Sequence, residues 1–250
     1  MTEARARSTV EAGIQPLRRR PADQLPYPLN LYHSAVGKKW VMAITGVIGM
    51  GFITMHMVGN LKIYLGAEEL DAYAEGLRTI GEPFAPRGFL LWGVRLVLLP
   101  TLLIHVHAAW WLWRQNRRAR PAKYQSKRDY IAADWASRTM TWTGPIVLLF
   151  LMFHLMDLTT GRANPDFRHG EVYHNILASF ERWPVVVLYV VANLALGVHL
   201  YHGAWSLFQS LGVNNSRING ARRIFATLFA VAIVGGYISA PLAIFVGIIK

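Results

Sequence analysis

The sequence predicts an all-α membrane protein in which five transmembrane helices form one bundle. Three observations carry this. Hydrophobic residues make up 53% of the chain and charged residues only 16%, a balance that soluble domains rarely combine. The charges lie in segments that separate five apolar runs, at about 38–61, 88–113, 140–160, 184–210 and 222–249, each close to the ~20 residues a helix needs to cross a bilayer. Helices are the only sensible form for these runs, because isolated strands leave backbone groups unsatisfied in lipid.

The basic residues give the bundle a direction. The tail up to Lys39 carries Arg5, Arg7, Arg18, Arg19, Arg20, Lys38 and Lys39. The second-to-third connection carries Arg114, Arg117, Arg118, Arg120, Lys123, Lys127, Arg128 and Arg138, and the fourth-to-fifth carries Arg217, Arg222 and Arg223. The other two connections hold Lys62, Arg78, Arg87, Arg162, Arg168 and Arg182 among many acids. The positive-inside rule then predicts a cytoplasmic N-terminus and an outside C-terminus. The formal charge of +12 could suggest nucleic acid, but cations that flank apolar runs orient membrane helices instead, so no nucleic-acid partner is expected.

Residues 1–37 read as a polar cytoplasmic tail, partly extended by Pro21, Pro26 and Pro28 and touching a partner. They do not read as a signal peptide, since the apolar run that follows starts late, is too long and lacks a small-residue cleavage site. Residues 38–250 form the transmembrane domain. On the outer side, "GAEELDAYAEGLRTI" (66–80) has the apolar spacing of a short surface helix. The segment 162–184 is polar and aromatic. There is no large soluble domain and no evident internal repeat.

The chain has no cysteine. That excludes disulfides, thiolate-bound zinc, cysteine-held iron–sulfur clusters and covalently attached c-type haem on this chain. A metal site here must rest on histidine and oxygen ligands.

Histidines inside the apolar runs therefore carry the chemistry. At 1.5 Å per residue, His56 and His154 fall near the outer ends of the first and third helices. His105 and His107 fall toward the inner end of the second, and His199 and His202 in the inner half of the fourth. Four helices thus carry imidazoles at two levels, roughly 10–15 Å apart by helix rise. Two b-type haems, each held between histidines of two helices, fit this pattern. Ligation also relieves the cost of unpaired imidazole in hydrocarbon. Gly46, Gly49, Gly51 and Gly59 around His56, Ala108 and Ala109 after His105, and Gly203 after His199 suit the close, flat walls a porphyrin needs, although small residues also serve ordinary helix packing.

Two stretches carry a family resemblance. "SAVGKKWVMAITGVIGMGFITMHMVGNLKIYLG" (34–66) resembles the first helix of the cytochrome b subunit of succinate dehydrogenases and fumarate reductases, in the single-chain, five-helix, dihaem form that exchanges electrons with menaquinone. "HLYHGAWSLFQSLG" (199–212) resembles that family's fourth helix. The His-x-x-Gly-Asn and His-x-x-x-Gly-x-Trp-Ser pieces are fairly specific together, and the likeness extends over about residues 30–250.

The resemblance implies a membrane anchor in the bacterial cytoplasmic membrane. Its partners would be a flavoprotein subunit holding FAD and an iron–sulfur subunit holding the clusters, both on the cytoplasmic side. Electrons would reach a membrane quinone through the inner and then the outer haem. It implies His56 and His154 as ligands of the outer haem and His199 as a ligand of the inner one. His202, one turn nearer the cytoplasm, becomes a candidate for a haem propionate or the partner interface. In the second helix, His105 and His107 point about 200° apart, so one of them faces a given haem. His105 is the expected ligand, because it is deeper and has Ala109 one turn on, where His107 has the bulky Trp111. One departure stands out. Some dihaem fumarate reductases place a proton-carrying glutamate two residues before the fourth-helix ligand, where this chain has Gly197.

Other polar residues lie at membrane depth. Arg95 is expected to pair with an outer-haem propionate or with Asp157, or to snorkel to the surface. Asp157, three residues after His154, is a candidate for quinone proton handling, with Arg162 nearby, or a simple interfacial residue. Trp110, Trp111 and Trp113 read as the inner aromatic belt. Three rivals remain: the dihaem anchor of a formate dehydrogenase or hydrogenase, a haem-free channel or transporter with histidine proton relays, and a purely structural anchor.

Overall fold

The computed structural model describes residues 26–118, 135–213 and 215–250, Pro28 excepted. Most of the N-terminal tail and the basic stretch 119–134 lie outside the described residues. The described chain is helical, and five of its helices are long and apolar enough to cross a membrane. This is a multi-pass membrane protein.

In chain order the elements are α1 (Leu29–His33), α2 (Ala35–Asn60), a 3-10 turn (Leu61–Leu65), α3 (Ala67–Thr79), α4 (Phe89–Arg118), α5 (Trp135–Leu158), α6 (Val172–Phe180), α7 (Trp183–Ser210) and α8 (Asn219–Phe245). The five spans are α2, α4, α5, α7 and α8. Local chemistry sets their ends. Ser34 caps α2 by accepting the Gly37 N–H at 2.8 Å. Pro184 lies in the first turn of α7, where its missing N–H costs nothing. Arg117 and Arg118 close α4 at its negative dipole end. Pro100, Pro145 and Pro241 sit inside spans, which membrane helices tolerate.

The surface helix expected at 66–80 is α3, which turns Leu70 inward. Within 162–184 the chain forms α6. Asp71 of α3 accepts the Tyr173 N–H at 3.0 Å, so one short helix caps the start of the other. The fifth span is shifted from the expected 222–249 and starts at Asn219. α8 stops at Phe245, and Gly247 (φ 76°) lets the chain fold back so that Ile249 is buried. The Tyr173 hydroxyl then donates to the Lys250 carbonyl at 3.0 Å. This end of the bundle is thus closed by α3, α6 and the last residues, over a core of Ile63, Leu70, Ile176, Phe180 and Ile244.

The spans group unevenly. α7 packs on α8, α5 and α2, while α4 packs on α2. Neither α2 with α5 nor α4 with α7 forms a packed pair among the described residues. The bundle is therefore an α2–α4 pair set against an α5–α7–α8 group, joined through α2.

Two glycines mark close approaches between spans. A Cβ at Gly236 of α8 would strike Met57 of α2, and one at Gly197 of α7 would lie 2.5 Å from a Val234 methyl of α8. Gly197 lies two residues before His199, and any side chain there would have to displace Val234. Gly197→Ala is expected to destabilise by about 1–3 kcal/mol through overpacking. Val234→Ala in the same chain should recover part of that, as read by thermal melting in detergent.

Candidate functional site: two facing pairs of histidines

The unpacked helix pairs are the ones whose imidazoles meet. His56 of α2 faces His154 of α5 with ring centroids 5.9 Å apart and planes at 80°. His105 of α4 faces His199 of α7 at 6.3 Å and 56°. Neither pair shares a hydrogen bond. Two imidazoles on opposite sides of one metal ion, each bonded at about 2 Å, place their centroids about 6 Å apart. Rotation about the metal–nitrogen bonds leaves the interplanar angle free, so both pairs have the spacing of axial ligands.

The vertical spacing follows from the contacts. The inner pair lies at the level of Thr45 on α2, whose hydroxyl is 2.9 Å from His105 Nδ1. On α5 it lies at Gly144, beside the His199 ring. The outer pair lies at Tyr189 on α7, whose hydroxyl is 3.3 Å from His154 Nδ1. Thr45 to His56, Gly144 to His154 and Tyr189 to His199 are eleven, ten and ten residues. At 1.5 Å per residue these give about 15 to 16.5 Å, at or just above the top of the range expected from sequence.

The two histidines on α4 point apart. His105 turns into the bundle. His107 turns the other way, with Nδ1 2.5 Å from the Tyr32 hydroxyl and its ring stacked on that tyrosine. Lys38, only 1% exposed, ties the same corner together. Its ammonium donates to the Tyr32 carbonyl at 2.7 Å and sits 3.9 Å from the Trp111 ring centroid. A cation counted in the tail's surface charge is therefore a buried staple between α1, α2 and α4.

Hydrogen bonds fix the ring orientation of one histidine in each pair. The Thr45 hydroxyl donates to the Val41 carbonyl at 2.7 Å. Toward His105 it therefore accepts, so His105 Nδ1 carries the proton and Nε2 keeps its lone pair. The Tyr189 hydroxyl donates to Asp157 at 3.0 Å and likewise accepts from His154 Nδ1. On His199, Nδ1 is buried without a hydrogen-bond partner among the described residues. Phe52 stacks on His56 at 5.4 Å, and Tyr237 lies 6.2 Å from it.

The space beside the rings suits a flat group. A Cβ at Gly46 or Gly144 would only touch the neighbouring imidazole at 3.9 Å, and one at Gly49, Gly51 or Gly203 would meet nothing within 4 Å. Among the described residues no three His, Asp or Glu side chains converge on a point. A pair of imidazoles supplies only two ligands, so a metal held there takes its remaining ligands from a group it brings with it. A macrocycle that supplies four in-plane nitrogens fits the donor set and the open walls.

The remaining predicted residues are spread around this core. Asp157 is fully buried (0% exposed). It accepts from Arg182 at 2.7 Å, from the Tyr189 hydroxyl and, through a very short contact, from Ser179. Arg182 spends its other donors on Ser179 and on the carbonyls of Ala163 and Ala178. Asp157 thus pairs with Arg182 and not with Arg95, and its carboxylate is enclosed rather than open to a ligand dissolved in the membrane. Arg162 is exposed. Arg95 is also exposed and lies over Trp92, on a shallow basic hollow of about 310 Å³ shared with Arg78 and Arg87. Glu75 bridges Arg78 and Arg87 there. His202 is half-buried, one turn beyond His199. Trp110 and Trp113 are exposed beneath Arg114 and Arg117, as an interfacial belt requires.

Sequence reasoning missed Thr45, Ser179, Arg182 and Tyr189. One signal was available, since a carboxylate at membrane depth demands a cation, and Arg182 was counted only as a loop charge. No family model matches the chain, and no curated protein or solved structure matches it either.

Proposed function

We propose that the chain is the membrane-anchor cytochrome b subunit of a succinate:menaquinone oxidoreductase, passing electrons from an iron–sulfur subunit to quinone within the membrane. The observation that carries the dihaem part is the pair of facing imidazoles at bis-axial spacing on two levels. The choice of succinate and menaquinone rests on the resemblance in 34–66 and 199–212. In this reading His56 and His154 hold the outer haem, and His105 and His199 the inner one. The bound iron supplies one-electron oxidation and reduction. The chain's own work is to hold the two levels about 15 to 16.5 Å apart along the helices, to exclude water and to fix the ring tautomers. Arg95 would serve a propionate of the outer haem or the outer surface, and His202 a propionate of the inner haem or the partner interface. The basic end faces the cytoplasm, where the flavoprotein with FAD and the iron–sulfur subunit dock.

The test is haem b per polypeptide in the detergent-purified complex, by pyridine haemochrome, together with identification of the co-purifying chains. Two haems and a flavin-bearing partner are expected. A molybdenum or nickel partner would move the chain to a formate dehydrogenase or hydrogenase anchor. Absence of a Soret band in fresh, intact protein would sink the redox reading and favour a haem-free relay or a structural anchor.

A further inference from the structure

The two histidine levels are backed differently. At the inner level the His105 Nδ1–H donates to a threonine hydroxyl whose own proton goes to a helix carbonyl. That backing is neutral and ends within one turn. At the outer level the chain of bonds is longer and charged. His154 Nδ1 meets the Tyr189 hydroxyl, which donates to Asp157, and Asp157 is held by Ser179 and Arg182.

Tyr189 is fixed tightly enough to act as a bridge. It is buried, and its ring lies edge-on to Phe150 at 4.9 Å and to Phe180 at 4.8 Å. The phenol has one proton and spends it on Asp157, so it can only accept from the imidazole. A hydrogen bond that leads toward a carboxylate draws the Nδ1 proton outward and leaves Nε2 more electron-rich. Arg182 holds the carboxylate in place at 2.7 Å, and its own position is held by two backbone carbonyls.

We propose that Tyr189 and Asp157 are positioning residues for the outer axial ligand, a bridge that makes His154 a stronger electron donor than His105 and so lowers the reduction potential at that level alone. This rests on the dihaem reading above. More electron density on the ligand stabilises oxidised iron, and among the described residues no such bridge stands at the inner level, so the two potentials are separated by the protein rather than by the cofactor.

The experiment is a redox titration of the purified complex with Tyr189→Phe, followed at the two haem absorption bands. Phenylalanine keeps the ring packing and removes only the hydroxyl. The expected result is that both haems are retained and that the outer couple shifts upward by about a tenfold change in its reduced-to-oxidised ratio, or ~59 mV for one electron. The inner couple, backed by Thr45, stays put. Two haems with both midpoints unchanged would overturn the proposal and leave the dihaem reading intact. If Tyr189→Phe does not accumulate, the same titration of Asp157→Asn decides by the same criterion. A wild-type complex without haem sinks the underlying reading instead, so the two failures are distinguishable.

Discussion

Alanine at His105 is expected to lower haem b from two per polypeptide to one, while alanine at His107 leaves both. The two side chains are two residues apart but point to opposite sides of α4. The His105 ring faces His199 at 6.3 Å and is locked by Thr45, whereas the His107 ring is occupied by Tyr32. Removing His105 leaves His199 without its opposing imidazole across a gap that the helices themselves do not close. The lost haem should be the inner one, with the His56–His154 spectrum unchanged. His107→Ala loses a hydrogen bond and a stacked ring, which lies in the range of about 0.5–1.5 kcal/mol for each. Its effect belongs to stability and not to haem content. Loss of haem in His107→Ala alone would move the ligand to the other face of α4.

Arg182→Ala is expected to destabilise the protein strongly, by about 3–5 kcal/mol. Asp157 is fully buried, and Arg182 is its only ion-pair partner among the described residues. Removing the cation leaves a carboxylate in an apolar setting with only two hydroxyl donors. For a chain of this size that is on the order of a 10 °C fall in melting temperature. Asp157→Asn should cost less, because the Arg182 side chain is 30% exposed and can turn toward water. Asp157→Asn introduced into Arg182→Ala should recover part of the loss, since it removes the stranded charge. Arg182→Lys should rescue incompletely, because an ammonium cannot reproduce a guanidinium that serves the carboxylate and two carbonyls together. A melt of Arg182→Ala that matches wild type would mean that the pair behaves as a surface salt bridge.

The spans were legible because hydropathy and length decide them with little help from tertiary contacts. The levels of the histidines were legible because helix rise is constant. Boundaries were harder where a turn, rather than polarity, ends a helix. Gly247 folds the C-terminus back before the apolar run is finished. Lys38 looked like a surface charge because a sequence does not show that Trp111 lies above it. The bridge behind His154 was hidden for a similar reason. Tyr189 and Arg182 lie 35 and 28 residues from His154 along the chain, and a tyrosine in an apolar helix reads as ordinary core. Only the packing of α5 on α7 brings these side chains together.

The separation of the α2–α4 pair from the α5–α7–α8 group has a consequence for biogenesis. If haem joins α2 to α5 and α4 to α7, the folded state is favoured by mass action. The bundle gains RT ln(1 + [haem]/Kd), about 2.7 kcal/mol when free haem is a hundredfold above its dissociation constant. A cell short of haem would then insert all five helices yet leave the bundle ajar along two seams, open to membrane proteases. The abundance of this subunit, and of any enzyme it anchors, would follow haem supply without a dedicated regulator.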